Sequence, residues 1–468
     1  MSLSPHHAPP RPRARSHRFR AASAPLLAVA LMAGTDGAAA PPAAAASPSA
    51  PPVAVPPAPG DTGRQRYATL DRLARDLVEA GAPGVVVRVA DGRGRPVEIV
   101  RQAPWAARDR RLAATDEFRM GSNTKTLMAA LVLLLEAEGA LSLSDPVERW
   151  LPGEVPGGAS ITLRMLLDHT SGLYDYTRDP ALIPSILGKD DRRWTSRDLL
   201  ALGVRHAPLF PPGTRWSYSN TDYAAVGAVL ERVTGASLAE LVRDRIARPL
   251  GLEHTYFATD GRWRGRYAHG YEPDAAHMPD AVPEEFRHVA GARRGTHVDV
   301  SANDPGWGGA AGAVVSTARD WARFTSALLS GGLLPAAQMT ELRRTVPMDP
   351  ERPQGPGAGP GIETGDTPCG TVWAHDGGMT GYSSLNAADR AGSRSAVVLV
   401  PTEFRFEFAA DPELMAAHEA LVTAAVCAMH GRPVPGAAPA HAGAASAPET
   451  ASVPGSAASS PTGAGQEG

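Results

Sequence analysis

An α/β (α+β) fold, with an antiparallel sheet flanked by helices and an all-helical lobe between its two halves, is predicted from three observations. Strand-like alternation is concentrated at the two ends of the foldable chain, and the middle carries helical periodicity with Ser/Thr starts and Gly stops. The order lacks the strand-helix alternation that a parallel sheet requires.

YATLDRLARDLVEAG (67–81) places Leu70, Leu73 and Leu77 on one side of a helix that stops at Gly81. GVVVRVADG (84–92) and PVEIV (96–100) read as a hairpin. Helical patterns come next in TKTLMAALVLLLEAEG, ITLRMLLDHTSG, SRDLLALGV, TDYAAVGAVLERVTG, SLAELVRDRIARPLG and STARDWARFTSALLSGG. TVWAH is a strand with glycines directly after it, YSSLNAADR (382–390) and RSAVVLVPT (394–402) form a second hairpin, and 410–430 is a helix with Pro412 in its first turn.

The chain has 468 residues, of which 46 are basic and 49 acidic, for a net charge of -3. That balance sets aside a nucleic-acid-binding chain held by bulk charge. Five arginines in residues 11–20, an apolar run and the alanines at 38–40 have the three parts of a secretory signal, so residues 1–40 are expected to be removed on export. The apolar run is too short for a stable membrane span. The mature chain from residue 41 is expected to be acidic, with 41 basic against 48 acidic residues. Residues 41–62 are a Pro/Ala-rich linker that includes eight prolines, and residues 431–468 are an Ala/Pro/Gly/Ser tail expected to be disordered. One domain is expected over 63–430, with a sheet lobe at about 63–120 and 310–430 and a helical lobe at about 121–309. Cys369 and Cys427 are the two cysteines. In an exported chain they can form one bridge tying the last helix to the sheet, with two free thiols as the alternative; no thiolate metal site and no other metal-ligand spacing is present.

Three short motifs carry chemistry. In Ser122-Asn123-Thr124-Lys125, the i, i+3 spacing puts hydroxyl and ammonium on one helical face. Lys125 and Lys189 are the only lysines, and arginine could not exchange a proton near neutral pH. The alternative is Ser122 as a plain helix cap beside a solvated lysine. In Tyr218-Ser219-Asn220, Tyr218 can act as a base if an ammonium stabilises its phenolate, and Asn220 can hold a substrate amide or Lys125; a packed aromatic and a capping Asn are the alternative. In His375-Asp376-Gly377-Gly378, glycines let a substrate backbone approach, and the N–H groups of Ser122 and Gly378 can form an oxyanion hole; the alternative is a glycine-rich turn. His169 is expected to be structural or supporting, and Trp307 to wall the cleft or fill the core.

The order S-x-x-K, Y-x-N, H-x-G, with 96 residues from Ser122 to Tyr218 and 157 from Tyr218 to His375, resembles the penicillin-recognising serine hydrolases. Within them it is similar to secreted D-alanyl-D-alanine carboxypeptidases of actinomycete type and to class C beta-lactamases. ITLRMLLDHTSGLYDYT, FPPGTRWSYSNTDYAAVG and WGGAAGAVVSTARDWARFTSALLSGG extend the match over about residues 66–428. The resemblance implies a beta-lactamase/transpeptidase-like fold, Ser122 as nucleophile, Lys125 and Tyr218 sharing general-base duty, Asn220 positioning the acyl-side amide, and His375 standing where other branches have lysine. It implies no cofactor or metal, peptidoglycan stem peptides or small acyl compounds as substrates, and beta-lactams as inhibitors or substrates. The family's D-alanine peptidases carry a hydroxyl residue at the Asp376 position, where a carboxylate would face the carboxylate of the substrate. An esterase or beta-lactamase on the same scaffold, or a non-catalytic penicillin-binding or sensor module, are the alternatives.

Overall fold

The first helix runs over Gly63–Glu79 and the chain turns at Gly81, whose φ of 111° suits only glycine. The computed structural model describes residues 63–258 and 260–433. The expected export signal, the linker before Gly63 and the tail beyond residue 433 lie outside the described residues.

Strand β1 (Gly84–Ala90) pairs antiparallel with β2 (Val97–Gln102), placing Val87 opposite Ile99. The chain then passes through β3 (Phe118–Arg119), β4 (Tyr256–Phe257), β5 (Tyr271–Pro273), β6 (Ala292–Arg294), β7 (His297–Asp299) and β8 (Val314–Ser316). It returns as β9 (Val346–Pro347), β10 (Gly357–Gly359), β11 (Ile362–Thr367), β12 (Gly370–Met379), β13 (Tyr382–Ala388) and β14 (Ser395–Val400). Eight strands form one sheet in the order β2-β1-β14-β13-β12-β11-β10-β9, and β1 meets β14 with Val87 opposite Val398. The two ends of the folded chain therefore share one sheet, and the long middle is an insertion between them. Short three-stranded sheets, β3-β8-β4 and β5-β7-β6, accompany the helices of that middle.

Alternation sorts the core into two layers. Val85, Val87, Ala374, Leu385 and Val398 pack with Leu70 and Leu77 of the first helix and with Leu421 and Val422 of the last, Pro412–Met429. Val86, Trp373, Tyr382, Val397 and Leu399 face the opposite way, into a cluster with Leu127, Met128 and Leu131 of the helix Thr124–Ala137. The last helix starts at Asp411, whose side chain accepts from the Leu414 N–H, with Pro412 just inside.

Three elements differ from the sequence reading. The pattern at 161–172 yields only Leu163–Leu167, because the Leu167 carbonyl is taken by the Tyr223 hydroxyl and the Gly361 N–H instead of continuing the helix. The run at 238–250 contains a wider π turn over Val242–Ala247. The glycines after TVWAH are neither a turn nor outside the strand: β12 continues through Gly377 and Gly378 to Met379, paired with β13 throughout.

Cys369, in the turn before β12, forms a disulfide with Cys427 of the last helix across 58 residues, with Cα atoms 5.0 Å apart. Cys427→Ser is expected to lower stability by about 2–4 kcal/mol, read from urea unfolding with and without reductant. Equal midpoints for variant and oxidised wild type would show that the bridge adds nothing.

Candidate active site

The Thr124–Ala137 helix is buried on nearly every side, and the 3-10 turn Gly121–Asn123 leads into it. That turn presses against β12 so closely that only glycine fits. A Cβ on Gly121 (φ 49°) would lie 2.6 Å from the Gly378 nitrogen, and one on Gly377 would lie 2.1 Å from the Met120 oxygen. The contact brings the Ser122 N–H and the outer part of β12 side by side. β12 pairs with β11 only as far as Ala374, so among the described residues no strand lies beside that edge from His375 onward, and it can receive an extended backbone.

Ser122 does not cap the helix, and Lys125 is not solvated. The Lys125 ammonium is 0% exposed and donates to Ser122 Oγ at 3.0 Å, Asn220 Oδ1 at 2.7 Å and the Ala311 carbonyl at 3.0 Å. The Tyr218 hydroxyl donates to Ser122 Oγ at 2.7 Å, and Lys125 Nζ lies 4.7 Å from the Tyr218 ring centre. Burial brings the Lys125 pKa down to about 7, against the pull of Asp175, Asp376, Asp222 and Glu363, which favour the charged form. The Tyr218 phenol is pushed well above its ordinary range, chiefly by burial and further by Asp376, Glu363 and Asp175. A phenolate base is thus disfavoured, whereas a neutral amine is accessible at neutral pH.

Tyr218 is held from behind. His169 adopts a left-handed conformation (φ 62°) that lets its carbonyl accept from the Ser217 N–H, while its ring lies 4.6 Å from that of Tyr218. Its Nδ1 is 2.9 Å from buried Asp222 Oδ2 and accepts from the Ser219 N–H at 3.3 Å. Burial and the Lys125 charge keep this imidazole neutral, well below its usual pKa.

Asn220 begins the helix Asn220–Thr234. Its Oδ1 faces Lys125 and its Nδ2 donates to Asp175 Oδ2 and Oδ1 at 3.0 and 3.2 Å. Of the two roles the sequence offered for Asn220, a partner for Lys125 or for a substrate amide, the geometry shows the first, and both ends of the amide are engaged with protein side chains. Asp175 and Ala311 were not singled out by sequence. Both lie inside runs that carried the family resemblance, LYDYT and GGAAG, but nothing local marks either one.

His375 lies on the β12 face of Trp373, 6.5 Å ring to ring from Tyr218, and is brought down to about 3, chiefly by burial. Its Nδ1 is 2.6 Å from the Asp376 carbonyl. Asp376 pairs with Leu385 and by strand alternation belongs to the face of Ala374 and Leu385, yet its Oδ1 stays 3.9 Å from His375 Nδ1 and its charge is felt at Lys125 and Tyr218. Its charge reaches buried Glu363, whose pKa rises to about 8 through burial and then Asp376. Trp307 is half-buried against the helical core, its carbonyl accepting from the Tyr176 hydroxyl. Among the described residues no group of three or more His, Cys, Asp or Glu is placed to hold a metal, and no helix is long and apolar enough to cross a membrane.

Residues 70–420 match the family model described as Beta-lactamase. The chain is 31% identical to "Esterase EstB" of Burkholderia gladioli over 72% of its own length and 90% of the relative's. To "Penicillin-binding protein 4*" of Bacillus subtilis it is 27% identical over 59% of its length, spanning only 58% of that relative. A solved D-stereospecific amidohydrolase from Streptomyces sp. superposes with a TM-score of 0.63 at 34% identity, covering 75% of this chain and 98% of the other.

Proposed function

The chain belongs to the beta-lactamase family of serine hydrolases, with its beta-lactamase/transpeptidase-like fold, and on that premise we propose that Ser122 cleaves peptide-type carbonyl compounds through an acyl-serine intermediate. The observation that carries this reading is the Ser122 hydroxyl held between the Lys125 nitrogen at 3.0 Å and the Tyr218 hydroxyl at 2.7 Å.

In the proposed cycle the neutral Lys125 amine takes the Ser122 proton as Oγ attacks the carbonyl carbon. The N–H groups of Ser122 and Gly378 stabilise the resulting oxyanion. Tyr218, kept as a phenol, gives its proton to the leaving nitrogen and is reprotonated by the Lys125 ammonium. Water then attacks the acyl ester as Lys125 takes its proton, and the Lys125 ammonium returns that proton to Ser122 Oγ as the ester C–O bond breaks, restoring the hydroxyl and the neutral amine. This assigns base duty to Lys125 and proton delivery to Tyr218, where the sequence reading had the two share the base role.

For the substrate, we propose D-alanyl-D-alanine stem peptides of peptidoglycan, cleaved as a carboxypeptidase. The motif order, the similarity to a penicillin-binding protein, and an open β12 edge suited to an extended peptide support it. With Asp376 turned to the other face from His375, the backbone of this edge remains the element that receives substrate. A second reading, an amidase or esterase for small uncarboxylated substrates, is favoured by the negative field of Asp376 near Tyr218 and by the amidohydrolase and esterase similarities. We place the activity outside the cytoplasm; the residue 11–40 pattern and the disulfide support that placement.

Intact mass with excess benzylpenicillin, together with D-alanine release from a stem peptide, tests the proposal. A lasting adduct with D-alanine release is expected. Neither adduct nor release, with a D-amino acid amide or p-nitrophenyl ester cleaved, would transfer the assignment to the second reading; penicillin consumed without an adduct would mean beta-lactamase turnover.

A further inference from the structure

We propose that Asp175 is a positioning residue for this reaction: through Asn220 it sets the direction of the hydrogen-bond chain Asp175–Asn220–Lys125–Ser122 and so aims the lysine at the nucleophile. The inference rests on the reading of Lys125 as the base of Ser122.

An asparagine amide is nearly symmetric in shape but opposite in polarity at its two ends. With Oδ1 on Lys125 and Nδ2 on Asp175, each end meets a complementary group. Turned over, the amide would point N–H groups at an ammonium and its oxygen at a carboxylate, leaving both buried ends without partners. Asp175 makes that second arrangement unfavourable. Lys125 then keeps a fixed acceptor in Asn220, and with the Ala311 carbonyl as a second fixed acceptor its remaining direction is toward Ser122 Oγ.

Asp175 is itself built in. It is 3% exposed, and its Oδ1 accepts from Thr177 N–H at 3.0 Å and Thr177 Oγ1 at 2.9 Å. On either side of it, the Tyr174 carbonyl accepts from Thr221 Oγ1 at 2.5 Å and the Tyr176 N–H donates to the same oxygen at 3.0 Å. These bonds clamp the Asp175 segment onto the first turn of the helix that carries Asn220. Asp175 is also foremost among the carboxylates that favour the Lys125 ammonium against burial. The other groups around that nitrogen are Asp222 and Tyr223 on the Asn220–Thr234 helix, Glu363 on β11, Asp376 and His375 on β12, and Tyr218 and His169 on loops.

The test uses the scarcity of lysine. With only Lys125 and Lys189 in the sequence, 13Cε-lysine labelling of the full chain gives two resonances, and the Lys125 titration is read without turnover. Asp175→Asn removes the negative charge and replaces an acceptor-only carboxylate with an amide that can donate as well as accept, so Asn220 loses its enforced direction and the Lys125 midpoint is expected to fall. The acidic limb of kcat/KM for a p-nitrophenyl ester is expected to move down with it, and kcat/KM is expected to drop by about 10²-fold. A folded Asp175→Asn chain with an unmoved Lys125 midpoint would overturn the proposal, whatever its rate. Should that variant fail to fold, the exchanged pair Asp175→Asn with Asn220→Asp restores a donor and a carboxylate in reversed order. Its midpoint is expected at or above the wild-type value, and a lower one would overturn the proposal. Because the resonance does not depend on acylation, failure of the acyl-serine reading leaves a different record: a Lys125 titration that responds to Asp175 in a chain with no covalent chemistry at Ser122.

Discussion

Ser122→Ala is expected to abolish covalent acylation and to lower ester or amide hydrolysis by about 10³-fold or more, because nothing else at the site can form the acyl ester. The two groups around Oγ, the Lys125 nitrogen and the Tyr218 hydroxyl, would each lose an acceptor. Leaving buried donors unmatched costs about 1–3 kcal/mol, small enough for the fold to survive. Ser122 caps no helix, so its removal does not loosen the Thr124–Ala137 helix. Intact mass with benzylpenicillin and hydrolysis of a p-nitrophenyl ester read the result, with circular dichroism as the control for folding. A hydrolysis rate within about tenfold of wild type would place the nucleophile elsewhere.

Lys125→Arg is expected to be inactive although it keeps the charge, with a loss of about 10²–10⁴-fold in the acylation rate. The guanidinium stays protonated at every working pH and cannot take the Ser122 proton. In the wild type the working form is the neutral amine. Its fraction grows as pH rises through about 7, so kcat/KM is expected to rise with pH through that region and level off above it. The variant is expected to show no such limb. Arginine is also larger than the fully buried site was built for, and thermal unfolding must accompany the kinetics. Near-normal acylation by a folded Lys125→Arg chain would refute the base role. A wild-type limb more than two pH units from 7 would mean that burial does not set the proton affinity of this amine.

Much of the architecture was legible because it rests on short-range regularities. The hairpins at 84–102 and 382–400 announce themselves through alternating Val, Leu and Ser, and the first and last helices through Leu spacing and Pro412. The paired ends around a helical middle then required the two halves of the sheet to meet, as β1 and β14 do. The reading failed where a tertiary partner outcompeted local periodicity. The helix at 163 stops after five residues because Tyr223 and Gly361 take the Leu167 carbonyl, and the glycines of β12 stay in the strand because the nucleophile turn fills the space that side chains would occupy.

The site divides in the same way. By itself the sequence determined that Ser122 and Lys125 share a helical face, since three residues of helix suffice to bring them together. It also singled out the Tyr218 and His375 segments, through motif order. Only the tertiary structure decided that Lys125 is buried, which brings its pKa down to about 7, and that burial pushes the Tyr218 phenol well above its ordinary range. It also decided that Asp376 turns to the face opposite His375, and that Asp175 and Ala311 complete the lysine's surroundings. The physical reason is separation along the chain. Lys125 meets Asn220 across 95 positions and Ala311 across 186, and Asn220 meets Asp175 across 45. Proton affinity and side-chain direction depend on these assembled neighbours and on the water they exclude, which no local pattern of residues encodes.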